Sequence, residues 1–142
     1  MAEGELSLQI MTMPRDTNHS GTVFGGYIMS LVDQASYVHC RRVGLHNWVT
    51  VAVDRVEFLA PVFVGELVTL RTTTERLGRT SVTVNVAVDA ERYNTGEWVR
   101  VTQARVTMVS VDAQRQPIPF LTAPTLAGDS VPKPGSGQHP KG

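Results

Sequence analysis

The sequence predicts an α+β fold in which one long, mostly apolar helix packs against an antiparallel sheet. Three observations carry this expectation. Sixteen of the 21 valines lie between Val49 and Val111, a composition that suits strands. Within that stretch apolar and polar residues alternate, most cleanly at Val82, Val84, Val86 and Val88 with Thr83, Asn85, Ala87 and Asp89 between them. The segment 24–43 instead repeats its apolar residues at helical spacing.

Taken in chain order, Leu6, Leu8 and Ile10 recur every second residue and predict a first strand buried on one face. The helix follows, with Phe24, Ile28, Leu31, Val32, Ala35 and Val38 on its apolar side and Gly25-Gly26 at its start. Arg41 and Arg42 near its end suit the negative end of the helix dipole, and Gly44 suits a C′ stop. Tyr27 and Met29 widen the apolar surface, so other structure is expected to wrap most of the cylinder. Val49, Val51 and Val53 predict a second strand buried on one face. The stretch from Ala60-Pro61 to Gly65 reads as a connection, because proline cannot donate to a strand ladder. Strands over Leu67–Leu77, around Val82–Val88 and over Trp98–Val111 complete the sheet. Gly78 and the Tyr93-Asn94-Thr95-Gly96 cluster are the turns between neighbours, and such short turns imply antiparallel pairing.

The chain has 142 residues, the size of a single domain, which we place at residues 1–120. Six of the eight prolines follow residue 116, and residues 121–142 are expected to form a flexible Pro/Gly-rich tail. Thirteen basic residues balance 13 acidic ones, which removes the electrostatic footprint of a nucleic-acid binder. The absence of an 18-residue uncharged apolar run argues against a membrane span, and the N-terminus lacks the pattern of a secretory signal. A lone cysteine, Cys40, rules out an internal disulfide and suits a reducing cytoplasm. His19, His39, His46 and His139 lack zinc-ligand spacing, so no metal is expected. The chain holds eleven arginines and two lysines. Coding bias explains that ratio as well as phosphate binding does, and Arg71, Arg76 and Arg92 are expected on a solvated sheet surface.

The chemistry starts from one charge. Between Thr22 and Cys40 the only formally charged side chain is Asp33, well inside the helix. A buried carboxylate is costly unless it is hydrogen-bonded or paired. Asp33 is therefore either structural, satisfied by hydroxyls or an arginine, or a general base or nucleophile in a poorly hydrated cleft. Gly25 and Gly26 offer close approach and free backbone N–H groups for a developing oxyanion; the plainer reading is a tight helix entry. Gly26 and Asp33 lie about 10 Å apart along one helix at a rise of about 1.5 Å per residue. A single reacting carbon cannot touch both, so a catalytic reading requires the carboxylate of a second chain and hence at least a dimer.

The segments MPRDTNHSGTVFGGYIMSLVD, VTVAVDRVEFLAPVFVGE and LGRTS resemble the hotdog-fold acyl-CoA thioesterases, the acyl-CoA hydrolase branch, over about residues 10–119. That resemblance implies a hotdog fold with a central helix wrapped by an antiparallel sheet, protomers joined into a homodimer, and dimers assembled as a trimer. It implies hydrolysis of acyl-CoA to free acid and CoA, with no cofactor beyond the CoA of substrate and product. By the same resemblance, Asp33 would be the catalytic carboxylate and Asn18 of the D-T-N triplet would place the water or carbonyl from the neighbouring subunit. Gly25 and Gly26 would polarise the thioester oxygen, and the turn Gly78, Arg79, Thr80 and Ser81 would lie against CoA, with Arg79 on a phosphate. Asn18 otherwise reads as a turn residue.

Two rival readings stay open at this level. His19 precedes Asp33 by 14 residues, a spacing reminiscent of hotdog dehydratases acting on 3-hydroxyacyl thioesters, although the proline-rich loop of those enzymes is missing. A non-catalytic acyl-CoA-binding module would keep the glycines and arginines but would need neither Asp33 nor Asn18. His39 is expected to be packed or capping, and Cys40 buried rather than nucleophilic. Tyr27, Met29, Tyr37 and Phe58 are candidates to line the acyl tunnel.

Overall fold

A computed structural model describes residues 4–126. It consists of β1 (Glu5–Met11), a single 3-10 turn (Pro14–Asp16), α1 (Gly25–Val43), β2 (Asn47–Phe58), β3 (Leu67–Leu77), β4 (Ser81–Glu91) and β5 (Trp98–Val111). The five strands form one sheet in the order β1-β3-β4-β5-β2, and every neighbouring pair is antiparallel. The helix lies across one face and contacts all five strands. This is the predicted arrangement of strand, helix, then four strands.

The core is where the helix meets the middle of the sheet. Val82, Val84, Val86 and Val88 of β4 are fully buried, together with Val106 and Met108 of β5 and Val68 and Leu70 of β3. Ile28, Leu31, Val32 and Ala35 supply the helix side of the same cluster. β4 has a partner on each edge, so its period-2 pattern translates directly into one buried face.

β2 departs from the expectation. Val51 and Val53 are 56% and 39% exposed, although their spacing predicts burial. β2 is an edge strand paired only with β5, and its register slips between Thr50 and Ala52 and again between Val53 and Arg55. Val51 is the unpaired residue of the first slip, and Val53, although it pairs with the buried Val106 of β5, stands on the edge with no strand beyond it. At the opposite edge, Leu6 is also exposed beside a register shift in β1.

Gly44 stops the helix, but not in the left-handed conformation a C′ glycine usually takes: it is extended, and its N–H donates to the Cys40 carbonyl at 3.0 Å. A Cβ there would come within 2.9 Å of the Phe120 carbonyl oxygen, so the glycine is needed for close approach. Phe120 packs on Trp48 with ring centroids 5.8 Å apart, and its carbonyl accepts from His46 Nε2 at 2.9 Å. The chain stays docked past the expected tail boundary: the Thr125 N–H donates to the Leu45 carbonyl, and its hydroxyl pairs with His46 Nδ1. The rest of the predicted tail, from residue 127, lies outside the described residues.

Candidate active site

The D-T-N triplet builds the entry to the helix. The Asp16 carboxylate accepts the Met13 N–H at 2.9 Å, and its carbonyl accepts the Phe24 N–H at 3.0 Å. The Thr17 hydroxyl donates to the Pro14 carbonyl at 2.7 Å. Asn18 Oδ1 accepts the N–H groups of Ser20 and Thr22 at 2.8 and 3.2 Å, while Nδ2 donates to the Thr22 hydroxyl at 3.1 Å. Asn18 is thus a turn-former whose amide retains one unshared hydrogen.

This loop delivers a helix whose first two N–H groups, on Gly25 and Gly26, have no hydrogen-bond partner among the described residues. A Cβ on Gly26 would meet nothing within 4 Å, and one on Gly25 would lie 3.5 Å from Phe58 Cζ. Neither glycine has a positive φ, so nothing inside the chain requires the absence of a side chain at position 26. Free donors at the positive end of a helix dipole, facing open space, form a ready site for a partial negative charge. A cavity of about 390 Å³ opens beside them, between the helix start and the ends of β2 and β5. Its walls include Gly25, Ile28, Phe58, Ala60, Val62 and Thr102.

Asp33 lies two turns further along and is exposed, not held in a poorly hydrated cleft within this chain. The Thr50 hydroxyl of β2 donates to Asp33 Oδ1 and also sits 3.2 Å from Met108 Sδ. No cation forms an ion pair with Asp33 among the described residues. A second groove of about 630 Å³ runs along this side of the helix, lined by Asp33, Tyr37, Trp48, Thr50, Met108 and Arg115.

The turn between β3 and β4 belongs to the same end of the sheet as Asp33, since Thr50 pairs with Met108 and Met108 with Val82. The Gly78 N–H donates to the Ser81 carbonyl at 2.7 Å, closing the turn, while the Thr80 and Arg79 carbonyls accept from Ser110 and Phe120. The Arg79 side chain is exposed and forms no ion pair among the described residues.

Of the residues singled out from sequence, the chain therefore gathers Asn18, Gly25 and Gly26 at one end, and Asp33 and the 78–81 turn at the other. Among the described residues the buried carboxylates are not Asp33 but Glu66, Asp89 and Asp16. Glu66, from the Gly-Glu connection, accepts Arg92 at 2.8 Å and the Phe63 N–H at 3.0 Å. Arg92 consequently leaves the solvated surface predicted for it: it also donates to the Pro61 carbonyl at 3.0 Å and stacks over Phe63. Of the four tunnel candidates, Phe58 lines the first cavity and Tyr37 the second. Thr50, Thr102 and Arg115 were not identifiable as site residues, because strand register and a return loop bring them there and no local motif marks them.

His39 is buried, with Nδ1 and Nε2 bonded to the hydroxyls of Thr72 and Thr74 at 2.8 and 2.7 Å. Desolvation lowers its pKa, with nearby Glu5 opposing and Arg42 adding to the shift. Cys40 is free and fully buried, and burial pushes its thiol up to about 12, so it is no nucleophile. Among the described residues no group of three His, Cys, Asp or Glu side chains is placed to hold a metal, and no helix is long and apolar enough to cross a membrane.

A helix wrapped by a five-stranded antiparallel sheet, with open donors at the helix start, defines a hotdog-fold protein, and solved structures agree. A hexameric hotdog fold thioesterase of Campylobacter jejuni superposes with a TM-score of 0.80 at 36% identity, covering 84% of this chain and 92% of that one. The hexameric thioesterase from Yersinia pestis gives a TM-score of 0.81 at 34% identity, over 87% and 100% of the two chains. The profile of the thioesterase superfamily matches residues 20–96. The acyl-CoA thioester hydrolase YciA of Salmonella typhimurium is 33% identical over 121 residues, 83% of this chain and 91% of that protein. The chain belongs to the thioesterase superfamily.

Proposed function

We propose that this protein hydrolyses acyl-CoA thioesters to free acid and CoA, at composite sites made from two copies of the chain. The observation that carries this reading is the separation of donors from acid: among the described residues the Gly25 and Gly26 N–H groups have no partner, and Asp33, seven residues beyond Gly26 on the same helix, forms no ion pair. Two antiparallel helices in facing protomers would bring the Asp33 of one to the helix start of the other.

In this reading the thioester oxygen accepts from the Gly25 and Gly26 N–H groups, where the helix dipole and the backbone donors stabilise negative charge as it develops. Such donors are typically worth about 3–4 kcal/mol each. Asp33 of the facing protomer either takes a proton from the attacking water or itself adds to the carbonyl carbon. The carbon–sulfur bond then breaks, the thiolate leaves as CoA and takes up a proton, and water supplies the oxygen gained by the acid. Asn18 uses its unshared amide hydrogen to orient the water or the carbonyl. Arg79, exposed on its turn with Gly78, Thr80 and Ser81, meets a CoA phosphate. CoA enters as part of the substrate, and the side chains named need no further cofactor.

Self-association follows the relatives, whose solved forms are hexameric. A dimer joined along β2, whose Val51 and Val53 stand exposed, and a trimer of such dimers fit that size. The buried free thiol of Cys40 fits a reducing cytoplasm.

Thiol release from acyl-CoA, followed with Asp33→Ala, tests the assignment. Turnover is expected to fall at least about a hundredfold while the oligomer stays assembled. Full activity in a correctly assembled Asp33→Ala enzyme would sink it. Mixed oligomers of Asn18→Ala and Asp33→Ala protomers are expected to recover part of the activity, because one interface regains both groups.

A further inference from the structure

Six hydroxyl side chains are buried among the described residues: Thr12, Ser36, Thr69, Thr72, Thr102 and Ser110. Five of them have partners. Thr12 donates to the Phe63 carbonyl, Ser36 to Val32 and Ser110 to Ile118, Thr69 accepts from Gln9, and Thr72 meets Ser7 and His39. Thr102 is 1% exposed, and no side-chain hydrogen bond involves it among the described residues. It sits on β5 between Phe58 of β2 and Val88 of β4 and lines the cavity at the helix start, whose other walls are chiefly apolar. An unshared hydroxyl in such a pocket is costly unless something that enters satisfies it.

We propose that Thr102 determines acyl specificity, its hydroxyl favouring short acyl groups that carry a hydroxyl or oxo substituent over unsubstituted alkyl groups of equal length. This rests on the acyl-CoA reading. The cavity wall contains both Gly25 and Thr102, so an acyl group whose carbonyl lies at the Gly25 and Gly26 N–H groups extends its chain toward Thr102. A plain alkyl chain displaces water from the hydroxyl and returns nothing, whereas a substituted chain replaces the lost bond. Sites that hydrogen-bond a substrate group discriminate strongly against analogues lacking it, because their own polar atoms are then left unpaired.

The test compares kcat/KM for butyryl-CoA with those for 3-hydroxybutyryl-, 4-hydroxybutyryl- and acetoacetyl-CoA, in the unaltered enzyme and in Thr102→Val and Thr102→Ser. At least one substituted substrate is expected to be favoured by about tenfold, the scale of one net hydrogen bond. Thr102→Val should abolish that preference and Thr102→Ser should retain it. Thr102→Ala replaces the valine variant if the latter does not fold. A preference unchanged by loss of the hydroxyl, or no preference in the unaltered enzyme, overturns the assignment. Failure to cleave any acyl-CoA would instead overturn the hydrolase reading itself.

Discussion

β4 and β2 carry the same sequence pattern, valine at every second position, and meet opposite fates. The β4 valines are fully buried between strands on both sides and the helix above. The β2 valines at 51 and 53 stand exposed on an edge broken by two bulges. On the β3 and β1 side the helix is tied to the sheet, around a cavity of about 380 Å³: His39 bonds Thr72 and Thr74, and Arg42 reaches Glu5, Ser7 and the Leu6 carbonyl of β1. The β2 flank is open, and there Thr50 meets Asp33 and Phe58 faces Gly25. In the proposed reading the β2 side meets substrate and a second copy, so the same pattern serves the protomer's core in one place and assembly in the other.

Three substitutions break or sharpen this contrast. The largest expected effect comes from Val51→Lys, which places a charge on the open edge. Size-exclusion chromatography should show smaller species and the thiol-release assay at least about a tenfold loss of activity, because each site would lose its second chain. The same change should alter the stability of the protomer itself by less than about 0.5 kcal/mol. An unchanged, fully active oligomer would mean that the open flank is no interface.

The next effect is on the core beneath the helix. Val84→Ala removes two methyl equivalents from a fully buried position and should cost about 2 kcal/mol in denaturant unfolding at fixed protomer concentration. Activity of the folded fraction should persist. A loss below about 0.5 kcal/mol would mean that the β4 side repacks as readily as an edge.

The smallest effect concerns pH. Burial holds the pKa of His39 below its ordinary value, so below pH about 6.5 the unfolded chain binds a proton that the folded chain refuses. The stability His39 contributes is therefore complete above that pH and is lost as pH falls toward the folded value. His39→Gln, which keeps hydrogen-bonding capacity but does not titrate, should flatten the decline of the unfolding midpoint between pH 7 and 5. An equally steep decline in the variant would remove His39 from the account.

Much of this was legible in the sequence. The helix, all five strands and the short turns were marked by periodicity, glycines and prolines, because those patterns report local backbone preference and which face is buried. Asp33 stood out because a lone charge in an apolar helix demands a reason, and the Gly-Gly helix start because free N–H groups follow from any helix terminus. Arg92 and Glu66 were misplaced or missed: an ion pair across a connection depends on how two distant segments meet. Val51 and Val53 were misjudged because alternation does not reveal strand order: Val51 is the extra residue of a bulge, and Val53 pairs with the buried Val106 but has no strand beyond it.

By itself, then, the sequence determined the elements, their order, and the distance along one helix that separates oxyanion donors from acid. Only the tertiary structure decided that β2 lies at an edge, that Thr50 holds Asp33, and that Thr102, without a side-chain hydrogen bond among the described residues, lines the same cavity as Gly25. The physical reason is range. Helix and strand propensities act over a few residues, whereas strand order, register and the pairing of buried polar groups are set by contacts between segments far apart in the chain.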